Sequence, residues 1–291
     1  EAPGRTARYP SPVNAKDMSG WYGKVVFVTG GGSGIGAALS ARLVDAGARV
    51  WIADRQFDHA KTLAQQLDAS GERAHAVELD VRDPAAVHRA IDAVVDSAGR
   101  LDYLFNNAGI GIGGEVDTLT LDDWSDIIDV NLRGVIHGVD AAYPIMIKQG
   151  SGHIVNTASM AGLITTSAQA AYSSTKHAVV ALSKTLRVEG KTHGVRVSVL
   201  CPGGVRTPIL TGGEYGHNRS ISRENQQKLG EALRPMEPDD FAEQALRAVL
   251  RNQAIIVVPR WWKALWYLER LSPALSMRAA ATALKRTRQV Q

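Results

Sequence analysis

The 291-residue sequence predicts an α/β fold, one doubly wound parallel sheet with helices on both faces, on three observations. Short apolar runs alternate with longer helical patterns from Lys24 onward. The runs are apolar on consecutive rather than alternate positions, which marks strands covered on both sides. A glycine-rich turn, "VTGGGSGIG", joins the first run to the first helical pattern. A chain of this length can bury one large core, and no hinge-like stretch argues for two smaller domains.

The elements follow in order. The opening "EAPGRTARYPSPVNAKD" is rich in Pro and polar residues and lacks an apolar signal core, so residues 1–20 read as a flexible arm. Met18, opening "MSGWYGKVVFVTG", is the expected translation start, with the earlier residues added to it. Next come "KVVFVTG" as strand, "GAALSARLVDAG" as helix, "ARVWIAD" as strand, "HAKTLAQQLDA" as helix and "RAHAVELD" as strand. "PAAVHRAIDAVVDSAG", "LDYLFNNAG", a helical pair around "LDDWSDIIDVNLRGVIHGVDAAYPIMIKQG", "GHIVNTAS", a helix carrying Tyr172, and "VRVSVLCPGG" continue the alternation. Beyond Gly204 the pattern loosens into "TGGEYGHNRSISRENQQ", polar and long enough for a mobile lid over about residues 208–234. "PDDFAEQALRAVL" resumes a helix and "AIIVV" a last strand, which closes one domain over residues 21–259. Residues 260–291 form a basic, Trp-rich helical extension.

Composition narrows the function. No apolar run approaches the roughly 20 residues that cross a bilayer. Cys201 is the only cysteine, which rules out an intrachain disulfide and suits a cytoplasmic setting. The eight histidines show no paired-ligand spacing, so no metal site is expected. The net charge of +4 is concentrated in the tail, where seven Lys/Arg from Arg260 onward face Glu269 alone. Nucleic-acid binding would need that charge spread along a groove with stacking aromatics, and no such pattern exists.

The glycine turn sets Gly30, Gly34 and Gly36 in G-x-x-x-G-x-G spacing between strand and helix, with Ser33 and Ile35 among them. Glycines there let a pyrophosphate reach free N–H groups at a helix N-terminus, where the macrodipole also favours an anion. This is the signature of a dinucleotide site in a Rossmann-type sheet, and no Gly-Lys-Ser/Thr closes it as a P-loop. Asp54 ends the second strand, placed to accept both hydroxyls of an adenosine ribose and to repel a 2′-phosphate, which favours NAD over NADP. Arg55 beside it is suited to the opposite choice. Asp80 and Val81, after the third strand, are placed to bracket the adenine through its amino group and its ring.

Tyr172 and Lys176 in "AYSSTK" share one helix face at i and i+4, so an ammonium can lie near a phenol. A phenolate base near neutral pH needs a downward shift of roughly 3 units, about 4 kcal/mol, from the free value. Ser159 ends the preceding strand, where a hydroxyl can hydrogen-bond a substrate oxygen as charge develops on it. By itself, Y-x-x-x-K is usually an ordinary helix face.

"TGGGSGIG", "NNAG" at residues 106–109, Asn131 in "DVNLRG", Ser159 in "NTASMAG", "YSSTK" and "PGGVRTP" occur together in this order, and over about residues 23–258 the chain resembles a classical short-chain dehydrogenase/reductase. The resemblance implies that Tyr172 is the general acid/base, that Lys176 lowers its pKa and binds the nicotinamide ribose, that Ser159 polarises the substrate oxygen, and that Asn131 holds a water in a proton relay. It implies that Asn107, Ala108 and Gly109 lie along the cofactor and that Pro202, Gly203, Val205 and Thr207 meet its nicotinamide end. A homodimer or homotetramer is implied as well. Ser198 stands where many relatives carry Asn, a scaffold position.

The sequence therefore describes an NAD-dependent oxidoreductase interconverting a secondary alcohol and a ketone, on a fairly apolar substrate given the tail. The alternative is a non-catalytic NAD(H)-binding sensor or assembly protein of the same fold. Cys201 reads as a small buried residue rather than a nucleophile. In the tail, Trp261, Trp262, Leu265, Trp266 and Leu268 make a helix apolar on more than one side, broken near Pro273. Packing on the domain or a partner subunit, a wall over the substrate pocket, and peripheral membrane contact all fit that pattern.

Overall fold

Strand β1 (Val25–Thr29) is buried along its whole length. Val26 and Val28 join Leu39, Ile52 and Phe241 on one side, while Val25 and Phe27 join Trp51, Ile91 and Leu104 on the other. Every position has a burial role because strand side chains alternate between faces, which is why the run is apolar without interruption. The computed structural model describes residues 18–210 and 215–288.

After β1 come α1 (Gly34–Asp45), β2 (Arg49–Asp54), α2 (Phe57–Leu67), β3 (Ala74–Glu78), α3 (Pro84–Ala98) and β4 (Tyr103–Asn106). A short β5 (Gly111–Gly113) precedes α4 (Leu121–Ile128), α5 (Gly134–Gln149), β6 (Gly152–Thr157), α6 (Ala170–Gly190) and β7 (Val195–Pro202). The chain ends with β8 (Gly216–Asn218), α7 (Arg223–Ala232), α8 (Pro238–Leu250), β9 (Ile255–Val258), α9 (Trp262–Leu271) and α10 (Pro273–Arg288). Seven strands form one parallel sheet in the order β3-β2-β1-β4-β6-β7-β9. α1, α2 and α8 cover one face and α3, α5 and α6 the other. The strand order reverses between β1 and β4, and a doubly wound sheet opens a crevice at the carboxyl ends of its strands there.

Local chemistry sets the element ends. Asp83 caps α3 by accepting from the Ala86 N–H at 3.0 Å, Pro84 follows at the first helical position, and Gly99 ends the helix at φ 77°. Thr120 and Asp123 form a reciprocal capping box at the start of α4. No helix among the described residues is long and apolar enough to cross a membrane.

The structure differs from the sequence reading in three places. Residues 1–17 of the expected arm lie outside the described residues, but Met18 and Trp21 are buried, with Trp21 4.4 Å from the Tyr103 ring, so the folded body begins inside the expected 1–20 arm. The expected helical pair is one continuous path, because a π turn at Asp129–Arg133 joins α4 to α5. Of the expected lid, residues 211–214 lie outside the described residues, and the remainder carries β8, paired in parallel with β5, and α7. Arg219 secures this segment by donating from Nη2 to Asp123 at 2.8 Å.

One buried polar pair belongs to the sheet itself. The Ser198 hydroxyl donates to the Gln253 carbonyl at 2.7 Å, so it accepts from His153 Nε2 at 2.9 Å. Burial pushes His153 down from 6.5 to about 3, with Arg196 and Arg187 adding to the shift. The folded chain thus disfavours imidazolium: this contribution to stability is complete above pH 6.5 and is lost as the pH falls toward 3. Urea unfolding should show a loss of about 1.4 kcal/mol per pH unit from this group across that window. His153→Gln, which keeps a donor for Ser198, should flatten the acid limb by one proton; an unchanged limb would exclude His153 as its source.

Candidate active site

The glycine turn sits at the crevice. Gly30 adopts φ 61°, and a Cβ on it would lie 2.7 Å from Ala108 Cα. A Cβ on Gly36 would come within 1.9 Å of the Gly30 carbonyl oxygen, so only glycine fits where α1 begins. Asn107 holds this turn from the neighbouring strand end. Its Nδ2 donates to the Thr29 and Gly30 carbonyls, both at 3.2 Å, and its own N–H donates to Thr29 Oγ1 at 3.0 Å.

Asp54 is 5% exposed at the end of β2, and its carboxylate accepts from the Gly32 and Gln56 N–H groups, each at 3.0 Å. These bonds fix its orientation and leave each oxygen a lone pair. Arg55 is exposed beside it. Asp80 also borders the crevice, but its carboxylate is engaged by the Arg82 guanidinium, with Nη2 at 2.6 Å, which holds its carboxyl below the usual range. Any adenine contact by Asp80 shares that group with Arg82. Among the described residues there is no cluster of three His, Cys, Asp or Glu that could hold a metal.

A buried polar chain sets the position of α6. Asn106 on β4 donates to Asn156 on β6 at 2.9 Å, Asn156 donates to Ser183 at 2.9 Å, and Ser183 donates to the Val179 carbonyl at 2.7 Å. Two turns nearer the start of α6, Lys176 donates from Nζ to the Thr157 carbonyl at 3.0 Å. Its ammonium lies 5.5 Å from the Tyr172 ring centroid. Ser159 caps the short turn Met160–Gly162, accepting from the Ala161 N–H at 3.1 Å. Asn131 is fully buried in the π turn and exchanges two bonds with Ile110: it accepts from the N–H at 2.8 Å and donates to the carbonyl at 2.9 Å. A Cβ on Gly109 would meet both Asn131 Oδ1 at 3.2 Å and Lys176 Nζ at 3.5 Å, so the two groups flank one glycine.

Burial raises the Tyr172 phenol above its ordinary value of 10.0, and the Ser159 hydroxyl acts in the opposite direction. Burial also pushes Lys176 down to about 8, a shift that the Cys201 thiol opposes. Within the chain, then, the Ser159 hydroxyl favours the phenolate against that burial. Lys176 is directed to strand β6 and the ring face. Cys201 is itself buried, which pushes its thiol up and leaves it unsuited to nucleophilic chemistry.

These groups surround one cavity of about 590 Å³. All the sequence-predicted residues line it except Gly36, packed behind the turn, and Asn131, buried beneath Ile110. Two features of the site lay beyond sequence reading. The Thr157 and Ile110 backbone groups that receive Lys176 and Asn131 carry no residue-type signal. The β5–β8 pairing joins residues a hundred positions apart. Of the three placements that the tail's pattern left open, a wall over the pocket is present: the Trp262 indole fills the space beside Gly203, and Ala280 and Ala283 of α10 line the cavity. Arg288 holds α10 there by donating from Nε to Glu115 at 2.9 Å.

Comparison with known proteins agrees with this architecture. The family model for short chain dehydrogenases matches residues 24–214. The putative oxidoreductase SadH of Mycobacterium tuberculosis is 35% identical over 271 residues, covering 91% of this chain and 96% of SadH. The 2,5-dichloro-2,5-cyclohexadiene-1,4-diol dehydrogenase LinX of Sphingobium indicum is 39% identical over 187 residues, covering 64% of this chain and 75% of LinX. Among solved structures, a short chain dehydrogenase/reductase from Burkholderia phymatum in complex with NAD superposes with a TM-score of 0.77 at 31% identity, covering 88% of this chain and 95% of that one. Levodione reductase superposes with a TM-score of 0.72 at 31% identity, covering 81% of this chain and 96% of its own. With the sheet order, the glycine turn and a match over more than half its length, this chain belongs to the classical short-chain dehydrogenase/reductase family of oxidoreductases.

Proposed function

We propose that the chain is an NAD-dependent oxidoreductase that interconverts a secondary alcohol and a ketone on a fairly apolar substrate, with Tyr172 as general acid/base. The observation that carries this reading is the meeting of Tyr172, Ser159 and Lys176 in the same cavity as the glycine turn and Asp54. The relatives support it: LinX is named for a cyclic diol and levodione reductase for a ketone. We place its work in the cytoplasm, as a homodimer or homotetramer.

The cradle fits a dinucleotide. Side chains at Gly30 and Gly36 would close the turn where a pyrophosphate would meet the N-terminus of α1, and Asp54 ends β2 at the cavity, where its carboxylate would accept the ribose hydroxyls. NAD, when bound, supplies the two-electron acceptor for alcohol oxidation. Tyr172 Oη takes the carbinol proton in oxidation and returns it in reduction. Ser159 Oγ hydrogen-bonds the substrate oxygen and steadies its developing charge. The Lys176 ammonium adds a favourable field for the phenolate. Asn131 keeps one lone pair and one N–H beyond its bonds to Ile110, enough to hold a water that carries the proton onward. Residues 208–210 and 215–234 cover the substrate, and α10 supplies an outer wall of small apolar side chains.

Tyr172→Phe should lower alcohol oxidation by about 10²–10⁴-fold while NAD still quenches intrinsic fluorescence. Retained turnover would defeat the acid/base role, and silence of the wild-type protein toward linear, alicyclic, aromatic and steroid alcohols, with NAD bound, would favour a sensor. Because burial raises the phenol, kcat/KM for oxidation should climb with pH into the alkaline range and that for reduction should fall there, with stopped assays at fixed ionic strength as the check. Asp54→Ser should shift the NAD to NADP preference by about tenfold or more, measured as a ratio of kcat/KM values. Ala280→Leu should raise KM for alicyclic alcohols by about tenfold while sparing short linear ones, since overfilling a packed wall costs about 1–3 kcal/mol.

A further inference from the structure

We propose that the outer face of α9, continued by the start of α10, docks on an anionic lipid bilayer. α9 has two apolar sides with different partners. Its inner side sets Trp262 and Trp266 against Met160, Leu163, Val180 and Val257, and Glu269 accepts from the Thr165 N–H at 3.0 Å. Its outer side carries Trp261, Leu265, Tyr267 and Leu271, all exposed, Leu271 to 86%. By helical spacing Trp261 and Leu265 make one row and Tyr267 and Leu271 a second about 120° around the helix, together a broad outer face turned away from Trp262 and Trp266, and Leu275 and Met277 beyond the Ser272–Pro273 break are exposed as well. Packing of α9 on the domain explains the inner side only. Large apolar side chains exposed together on one helix face mark a contact surface.

Charge selects the occupant. From Arg260 onward the chain carries seven Lys/Arg against one Glu, and Arg260, Arg270, Arg278 and Lys285 of this extension are exposed. A second copy of the chain meeting the same face would bring these like charges together, whereas an anionic headgroup layer complements them. Trp261 stacks on Trp262 at 4.6 Å and Arg270 lies 5.7 Å from the Trp266 ring, an aromatic and cationic belt suited to the headgroup boundary. Ten residues make a helix of about 15 Å, so α9 lies in the plane of the surface. The same extension walls the cavity through Trp262 and Ala280, so docking sets the pocket wall beside the lipid. The docking does not depend on the substrate that the cavity takes.

The test is flotation of the full chain with vesicles of phosphatidylcholine alone and of phosphatidylcholine with phosphatidylglycerol. Binding should require the anionic lipid and weaken with salt. Leu265→Asp with Leu271→Asp should weaken it by about tenfold or more, and Arg270→Glu with Arg278→Glu by a similar factor. Both pairs lie on the exposed surface, so their thermal unfolding should match the parent's, and sedimentation equilibrium is run beside each. Absence of binding, equal binding by the parent and both variants, or binding indifferent to lipid charge would overturn the proposal. So would a self-association that the leucine variants abolish, since the face would then join two copies of the chain.

Discussion

The hydrogen bond from the buried Lys176 ammonium to the Thr157 carbonyl is the constraint on which the site depends. An ammonium withdrawn from water is tolerated only with good partners, so this bond requires the start of α6 to lie against the end of β6. The Asn106, Asn156 and Ser183 chain adds a second attachment deeper in the same helix. A helix tied at two levels to β6, which is itself bonded to β4 through Asn156 and Asn106, has little freedom to rotate or slide. Tyr172, one turn before Lys176, is thereby presented to the crevice, and Ser159 reaches the same space from the strand end.

Polar groups gather in that part of the core, and apart from the buried Asn106 Oδ1 those around the glycine turn and Asn131 are answered by strand or helix geometry. Thr29 receives two N–H groups from the β4 end, Asn107 returns two bonds to the glycine turn, and Asn131 closes a pair with Ile110. The π turn explains how Asn131 can do this from within a helix. One widened turn redirects a side chain that a regular helix would point elsewhere, and such turns recur at functional positions. The scaffold and the reacting groups are thus joined through satisfied hydrogen bonds rather than through apolar packing alone, which gives the site its orientation.

The tail has a different character. α10 is held over the cavity by the Arg288 and Glu115 pair and by small side chains at its wall. α9 is held by tryptophans on its inner side and leaves an apolar outer side exposed among the described residues. Both helices lie beyond the residues matched by the family model, and yet they complete the pocket.

The sequence by itself determined the layered α/β sheet, because consecutive β-branched runs are stable only when both strand faces are buried, and "VVFVT" is such a run. It also marked the chemistry-bearing side chains, since Gly36, Asp54, Ser159, Tyr172 and Lys176 occupy positions relative to strand ends and helix turns that can be counted along the chain. Tertiary structure decided what those side chains face. The single helical path through Asp129–Arg133, the bond of Lys176 to a backbone carbonyl, the Arg82 grip on Asp80 and the return of α10 across the cavity all depend on contacts between distant segments or on backbone groups common to every residue. The two apolar sides of α9 show the division most clearly. Periodicity revealed both, and only packing against β9 and α6 established which one the domain covers.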